Sequence, residues 1–258
     1  MIAVRDLEVR FGRRVVARVD ELDVAAGEIV GIAGESGSGK SMTALAILGL
    51  APLAGASVTG SIRLEGRELV GLSERDLRAV RGREIAMIMQ SPRASLNPTI
   101  RLGDMMARTL RLHGVAKAAI PARIVEACRG VLLDAELLAR YPHEISGGQA
   151  QRFAIALVLA LGSRVVIADE PTSALDVTVQ AEIVDLLRRV RDERGAAQLF
   201  ISHDLAVIGQ LADRVIVMQG GVVVESGPVA AVLGAPAAPY TRELVAAVPR
   251  IGTGVRDG

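Results

Sequence analysis

The sequence has 258 residues, 50% hydrophobic and 2% aromatic, which suits one large domain or one domain with an inserted subdomain. Its net charge of +1 gives no positive field that would hold a polyanion, so bulk charge does not support binding of nucleic acid. The single cysteine, Cys128, excludes an internal disulfide and a cysteine-ligated metal cluster, and it indicates a reducing environment.

Residues 1–29 alternate between apolar and charged side chains, with turn residues at Gly12 and Ala26-Gly27. This period of two predicts antiparallel strands with one face in water, and a second hairpin is predicted over residues 60–69. The uncharged stretch from Ser41 to Ile62 has the length of a membrane span, but three glycines and a proline interrupt it. We therefore predict a buried helix followed by a loop there, and a soluble chain.

A phosphate-loop motif of the form G-x-x-x-x-G-K-S/T lies between these hairpins. A strand-like stretch precedes it and a helix-like stretch follows it, which is the context that this motif requires. The glycines let successive N–H groups point inward, and the helix N-terminus adds its partial positive charge, so the motif predicts a phosphate cradle. Lys40 is predicted to reach the β- and γ-phosphates, and the Ser41 hydroxyl to hold Mg²⁺. The predicted phosphate-binding residues are Gly34, Glu35, Ser36, Gly37, Ser38, Gly39, Lys40, Ser41 and Met42.

An apolar stretch over residues 84–90 is predicted to be a buried strand that ends in Gln90. Helical sequence then dominates as far as residue 162, and the last helix of this stretch is predicted to begin near Ala150. The predicted interruptions are Gly114, Pro121 and Tyr141-Pro142. We interpret residues 91–162 as a helical insertion between two strands of the sheet.

Strands and helices alternate again after the insertion. The predicted strands are 164–170, 198–203, 214–218 and 222–225, and the predicted helices are 177–194 and 205–212. The segment from residue 235 is predicted to be weakly structured apart from 240–247. This order predicts an α/β fold: a P-loop NTPase (RecA-like) core with a mainly parallel sheet, an N-terminal antiparallel β subdomain and an inserted α-helical subdomain. The predicted units are 1–90 with 163–234 for the core and its β subdomain, 91–162 for the helical subdomain, and 235–258 for the C-terminal tail.

Two adjacent carboxylates, Asp169 and Glu170, follow the buried stretch 165–168. In open α/β sheets ligands bind at the carboxyl edge of the strands, where the phosphate loop also opens. We predict that Asp169 holds Mg²⁺, directly or through water, and that Glu170 lies near a hydrolytic water in line with the γ-phosphate. Acids also follow strands as helix caps or solvated loop residues, but the complete phosphate loop favours the catalytic interpretation.

Gln90 and His203 end two further strands at the same predicted edge of the sheet. Each side chain could reach the γ-phosphate or the water that attacks it. The alternative for His203 is an ordinary loop position near a helix N-cap, and spacing alone leaves both interpretations open.

A second phosphate-binding turn is predicted where a serine and two glycines precede a helix, at Ser146, Gly147, Gly148 and Gln149. One bound nucleotide does not explain two such turns in one chain. A dimer explains them if each chain presents this turn to the nucleotide of the other.

Together these motifs resemble those of the ATP-binding-cassette (ABC) ATPases. By this resemblance Gly34–Ser41 is Walker A, Gln90 the Q-loop, Ser146–Gln149 the signature, Val165–Glu170 Walker B and His203 the switch histidine. Ser173–Asp176 resembles the D-loop, whose acidic residue is Asp176, and Phe11 stands where the family places an aromatic residue that stacks on adenine. The resemblance implies ATP and Mg²⁺ as cofactors. It implies Glu170, His203 and Gln90 as catalytic residues and Ser41, Gln90 and Asp169 as the metal-binding residues.

A narrower resemblance is to the peptide/nickel importer ATPases, most of all to the first of their two ATPase subunits. It is carried by residues 41–50, Gln90-Ser91-Pro92, Ser95-Leu96-Asn97-Pro98, Tyr141-Pro142-His143 and Pro239-Tyr240-Thr241. It implies a head-to-tail dimer, formed with a second ATPase subunit or a second copy, with ATP between Walker A of one chain and the signature of the other. It also implies two membrane permease subunits, an extracytoplasmic substrate-binding protein acting through them, and a peripheral position on the cytoplasmic face of the inner membrane.

Two departures from the family pattern matter. Ile145 opens the signature where leucine is usual, which is a conservative change. Several peptide-importing relatives carry a longer, cysteine-bearing C-terminal extension, whereas this sequence stops at Gly258 with Cys128 alone. Nickel or a metal chelate therefore stays beside peptides as a predicted substrate class.

Two other classes of P-loop protein compete with the transport ATPase. A non-transport ABC ATPase that acts on DNA or ribosomes usually has a long coiled-coil insertion or two cassettes, and this sequence has neither. A P-loop kinase or GTPase would leave Ser146–Gln149 without a role.

Overall fold

The computed structural model describes residues 1–173 and 175–248; Ala174 of the predicted D-loop and residues 249–258 of the predicted tail lie outside the described residues. The strands are β1 (Ile2–Phe11), β2 (Arg14–Val24), β3 (Ile29–Ala33), β4 (Ser57–Leu64), β5 (Arg67–Glu68), β6 (Ile85–Ile88), β7 (Val165–Asp169), β8 (Ala197–Ile201), β9 (Arg214–Gln219) and β10 (Val222–Pro228). They form one sheet in the order β5-β4-β1-β2-β10-β9-β3-β8-β7-β6.

Helices pack against this sheet. They are α1 (Lys40–Ile47), α2 (Glu74–Val80), α3 (Pro92–Ser95), α4 (Leu102–Leu112), α5 (Ile120–Gly130), α6 (Gly147–Leu161), α7 (Val177–Arg194), α8 (Leu205–Leu211), α9 (Val229–Gly234) and α10 (Pro239–Ala247). Short 3₁₀ turns occupy Ala51–Ala54, Lys117–Ala119, Ala135–Ala139 and Pro142–Glu144.

The half of the sheet from β9 to β6 is parallel. Strand β3 pairs with β9 and β8, and β7 pairs with β8 and β6, all in the same direction. Every residue of β3, β7 and β8 is buried, as expected for parallel strands with both faces covered. In β7, Val166 packs in one hydrophobic cluster, while Val165 and Ile167 pack in the other. The carboxyl ends of these parallel strands therefore lie at one edge of the sheet, and each face of the sheet packs on its own hydrophobic cluster.

The other half is antiparallel. Strand β1 pairs with β2 on one side and with β4 on the other. Its buried residues, such as Val4, Leu7 and Val9, are interrupted by exposed ones, so one face is wet. The two halves meet where β10, antiparallel to β9, pairs with β2 at Val222 and Arg18. The predicted α/β fold, with a parallel core and N-terminal antiparallel strands, is confirmed.

All regular elements described between residues 91 and 162 are helical, but two predicted boundaries are wrong. Pro121 lies in the first turn of α5 and begins that helix, because its missing N–H would be unpaired there in any case. Helix α6 begins at Gly147 and not near Ala150, since Ser146 already acts as its N-cap.

Helix α10 matches the helix predicted over 240–247. Helix α9 lies before residue 235, in a segment for which no element was predicted. Both pack on the sheet, and Tyr240 of α10 is buried. In the part of the chain that the structure describes, no helix combines the length and the apolar character needed to cross a bilayer.

Arg81, just after α2, holds the carboxyl end of α1. Its guanidinium donates hydrogen bonds of 2.8 Å to the carbonyl oxygens of Leu48 and Gly49 and forms an ion pair with Glu74. Arginine donors satisfy carbonyls that a helix end leaves unpaired, and they complement the helix dipole. The helix that follows the phosphate loop is thus anchored at its far end.

Replacing Arg81 with methionine keeps the aliphatic stem and removes these charged donors. Arg81→Met is expected to lower the free energy of unfolding by about 2 kcal/mol in urea denaturation. Arg78→Met is the matched control, since Arg78 is 76% exposed and forms an ion pair with the same Glu74. That variant is expected to change stability by less than about 0.5 kcal/mol. Equal losses in the two variants would contradict the anchoring role.

Candidate functional site

The loop between β3 and α1 needs glycine at defined positions. Gly34 has a φ of 145°, and a Cβ there would lie 2.2 Å from the Met218 carbonyl oxygen. Gly39 has a φ of 102°, and a Cβ there would lie 2.6 Å from the Val16 carbonyl oxygen. Side chains are excluded at both positions by backbone conformation and by the close approach of neighbouring strands. The loop can therefore curl tightly over the end of the sheet.

Lys40 begins α1 and is buried beneath this loop, with 4% of its surface exposed. Its Nζ donates hydrogen bonds to the carbonyl oxygens of Gly34, at 2.7 Å, and Glu35, at 2.8 Å. Burial lowers the pKa of Lys40, while the nearby carboxylates of Glu170 and Asp169 oppose that shift. Helix α1 has no side-chain cap, so the N–H groups of its first turn and the ammonium group converge on one anion site.

Ser41 and Asp169, predicted to share a metal ion, are in contact. The Ser41 hydroxyl donates a hydrogen bond of 3.0 Å to Asp169 Oδ1. Asp169 is buried, and burial raises the pKa of its carboxyl group. A hydroxyl and a carboxylate are the oxygen ligands that Mg²⁺ prefers, so the two side chains fit that ion. Because the ion needs the ionised carboxylate, acidification is expected to weaken its binding.

Glu170 connects Gln90 with His203. Gln90 Nε2 donates a hydrogen bond of 2.9 Å to Glu170 Oε2, and His203 Nδ1 lies 3.3 Å from the same oxygen. Glu170 has a φ of 45°, a left-handed conformation that is strained for a residue with a side chain and is often found at functional sites. Three predicted catalytic side chains, from the ends of β6, β7 and β8, thus meet at one carboxylate oxygen.

These residues surround a cavity of about 740 Å³. Its lining includes all nine predicted phosphate-binding residues, 34–42, together with Gln90, Glu170 and His203. Three other lining residues were not predicted from the sequence: Arg14, Val16 and Leu244. Phe11, predicted to stack on adenine, is exposed at the tip of the β1–β2 hairpin and does not line the cavity. Arg14 and Val16 belong to the same hairpin, so the hairpin does reach the site.

Ser146–Gln149 lies apart from this cavity, at the N-terminus of α6. The Ser146 hydroxyl accepts a hydrogen bond of 3.2 Å from the Gln149 N–H, and Gln149 Oε1 accepts one of 2.8 Å from the Ser146 N–H. This reciprocal capping leaves Ser146 and Gly147 exposed. Asp176 is the N-cap of α7, and its side chain accepts a hydrogen bond of 2.9 Å from the Val179 N–H. A Cβ on Gly148 would lie 3.0 Å from Val179 Cγ1, so the two helix starts are packed together.

Known proteins are similar in sequence to this chain. Residues 18–173 match the family described as ABC transporter. The probable peptide ABC transporter ATP-binding protein y4tR of Sinorhizobium fredii is 46% identical, over 96% of this chain and 77% of that protein. The peptidoglycan transport ATP-binding protein YejF of Agrobacterium fabrum is 45% identical, over 97% of this chain and 47% of that protein. The glutathione import ATP-binding protein GsiA of Escherichia coli is 42% identical, over 98% of this chain and 42% of that protein. The chain thus spans less than half the length of the last two relatives.

Solved structures share the fold. The ATP-binding cassette MJ0796, in a dimeric post-hydrolysis state bound to ADP and Pi, matches with a TM-score of 0.78 and 25% identity, over 89% of this chain and 99% of that chain. The structure of cbiO1 from Clostridium perfringens, part of the ABC transporter complex cbiONQ, matches with a TM-score of 0.78 and 25% identity. The match covers 97% of this chain and 96% of that chain. The resemblance expected from the motifs is confirmed: the chain belongs to the ABC transporter family, as one of its ATP-binding and ATP-hydrolysing cassettes.

Proposed function

We propose that this ATPase powers the import of peptides through two membrane permease subunits, from a peripheral position on the cytoplasmic face of the inner membrane. One observation carries the proposal: Lys40, Ser41, Glu170 and His203 line one cavity, and Asp169 accepts a hydrogen bond from Ser41, while the signature turn is exposed elsewhere. Half of a nucleotide site is assembled, and the other half is directed outward. Such a chain completes its site only when a facing cassette supplies the signature.

The assembled half suggests a role for each residue. Lys40 exchanges its two carbonyl contacts for oxygens of the β- and γ-phosphates, aided by N–H groups of residues 34–42. Ser41, Gln90 and Asp169 would hold Mg²⁺, which when bound would neutralise charge on the phosphates. Glu170 Oε2 accepts the proton of the attacking water, and His203 and Gln90 hold that carboxylate and the water in place. Phe11 provides the base-stacking surface beside the cavity.

The exposed half suggests the dimer. Ser146–Gln149 presents N–H groups and a hydroxyl at a helix N-terminus, which is suited to a γ-phosphate bound by another chain. Asp176 at the start of α7 lies at the same surface and contacts the facing cassette. ATP then joins two cassettes, one of them a second copy or a different ATPase subunit, and hydrolysis releases them. Residues 91–162 act as the signature subdomain, and residues 1–90 with 163–234 as the nucleotide-binding core, followed by the tail from residue 235.

A groove of about 390 Å³ after strand β6 is the proposed permease contact. It lies between the sheet and the helical segment, and its apolar lining includes Met87, Met89, Leu96, Met105 and Leu157. Flexible methionine side chains adapt to an inserted helix. Its position directly beside Gln90 would transmit a change in the nucleotide site to the permease. The occupant we propose is a short cytoplasmic helix of a permease subunit.

The proposed substrate class is peptides, delivered by an extracytoplasmic binding protein. The names of three relatives support it, because they refer to peptide, peptidoglycan and glutathione transport. Nickel or a metal chelate is the alternative, based on the motifs shared with nickel importer ATPases.

Co-purification from membranes tests this function. The full chain is expected to be recovered with two hydrophobic permease chains, and Met89→Asp is expected to lose them, because it places a charge in the groove. Leu112→Asp is the control, since Leu112 is 76% exposed and lies outside the groove. Recovery with DNA or ribosomes, and without permeases, would instead favour the non-transport ABC ATPase.

A further inference from the structure

Helix α10 contacts the phosphate loop directly. The Glu35 N–H donates a hydrogen bond of 3.1 Å to the hydroxyl oxygen of Tyr240, which is 205 residues away in sequence. Tyr240 is 7% exposed, so water has little access to its side chain. One turn later, Leu244 lines the nucleotide cavity. A helix at the C-terminal end of the described chain is thus part of the wall of this site.

Helix α10 is itself held firmly. The Glu225 carboxylate, on β10, accepts hydrogen bonds from the N–H groups of Ala237, at 2.8 Å, and Ala238, at 3.0 Å. Ala238 is the N-cap of α10, so a carboxylate from the sheet satisfies the unpaired donors at its start. Tyr240 therefore presents its hydroxyl from a support that is fixed to the same sheet as the phosphate loop.

Glu35 is hydrogen-bonded to both Tyr240 and Lys40. The Glu35 carbonyl oxygen accepts a hydrogen bond of 2.8 Å from Lys40 Nζ, while its N–H donates to Tyr240. Gly34, just before it, has a φ of 145°, a conformation open to few residues but glycine, so contacts around the loop must hold the chain in that shape. The hydrogen bond from Glu35 to Tyr240 is one of those contacts.

We propose that Tyr240 is a positioning residue for nucleotide binding, which fixes Glu35 and thereby keeps the phosphate loop and Lys40 in the shape that accepts ATP. This inference rests on the proposed role of the cavity as the ATP site. Without the hydroxyl, the loop spends part of its time in shapes that do not bind, and the apparent dissociation constant rises in inverse proportion to the competent fraction. The loss of one hydrogen bond corresponds to about a 3- to 10-fold change.

The test compares the two tyrosines of the chain, Tyr240 and Tyr141. Tyr240→Phe removes the acceptor and keeps the ring, and Tyr141→Phe is the matched control outside the cavity. For the full-length chain, Tyr240→Phe is expected to raise the dissociation constant of Mg·ATP and the KM by about 3- to 10-fold. The kcat is expected to stay unchanged, because saturating ATP restores the competent loop. Tyr141→Phe is expected to match the wild type in all three constants.

Tyrosine fluorescence gives a second readout, because the chain has no tryptophan. In Tyr141→Phe, Tyr240 is the single emitter, and its emission is expected to change on addition of Mg·ATP. In Tyr240→Phe, the remaining emitter is Tyr141, and no change is expected. A titration of free tyrosine corrects for light absorbed by adenine.

Three results would overturn the inference. They are an unchanged Mg·ATP affinity in Tyr240→Phe, an equal loss in both variants, or a silent Tyr240 signal while calorimetry shows Mg·ATP binding. In each case a wild-type chain that binds Mg·ATP leaves the proposed function intact. A wild-type chain that does not bind Mg·ATP would remove both.

Discussion

Lys40→Ala is expected to weaken Mg·ATP binding by about 100-fold, equivalent to about 3 kcal/mol. The substitution deletes a cation that is buried under the phosphate loop, 2.7 Å from the Gly34 carbonyl oxygen. Charge-assisted hydrogen bonds to phosphate are stronger than neutral ones, and burial of Lys40 shields them from water. Isothermal calorimetry on the full chain measures the change directly.

Lys117 is the other lysine of the sequence and provides a matched control for the loss of one lysine charge. Lys117 is exposed in a 3₁₀ turn of the helical segment. Lys117→Ala removes the same charge from the protein and is expected to leave the dissociation constant unchanged. If both variants bind Mg·ATP like the wild type, Lys40 does not contact the phosphates and the cradle assignment fails.

The contact between Ser41 and Asp169 shows why much of this site could be predicted from sequence. The two residues are 128 positions apart, yet Ser41 follows β3 and Asp169 ends β7, two strands whose neighbours run in the same direction. Parallel strands bring their carboxyl ends to one edge, so residues found after such strands meet without any knowledge of the loops between them. The same rule brought Gln90 and His203 to Glu170.

The contact made by Tyr240 could not be predicted from the order of the strands. Its contact with Glu35 depends on how α10 folds back over the sheet, which a short and weakly amphipathic helix does not reveal. The Pro239-Tyr240-Thr241 motif indicates a resemblance to a family, but it does not predict a contact with the phosphate loop. Phe11 is a second residue whose position the sequence does not determine. The alternating pattern predicts its strand, but only the packed hairpin shows that Arg14 and Val16, and not Phe11, line the cavity. The helix boundary predicted at Pro121 was wrong because proline can either end a helix or occupy its first turn.

Glu170→Gln is expected to slow ATP turnover by about 100- to 10,000-fold while ATP binding is retained. The substitution is isosteric and keeps an oxygen that can accept from Gln90 Nε2, which lies 2.9 Å from Glu170 Oε2. What is lost is the charge that accepts a proton from water. Glu136→Gln, at an exposed position in the helical segment, is the control and is expected to hydrolyse ATP normally. Unchanged turnover in Glu170→Gln would remove Glu170 from its proposed role.

The same variant is expected to reveal the dimer, because ATP that is not hydrolysed continues to join the two cassettes. Sedimentation of Glu170→Gln is expected to show a dimer with Mg·ATP and a monomer without it. Adding Ser146→Asp should abolish that dimer: aspartate still caps α6, so the helix start survives, but it faces the γ-phosphate of the other chain with a negative charge. Ser73→Asp makes the same exchange at the N-cap of α2 and should leave the dimer intact. A dimer that persists with Ser146→Asp would mean that the signature turn binds no nucleotide across the interface, and the head-to-tail arrangement would then be wrong even if Lys40 and Glu170 act as proposed.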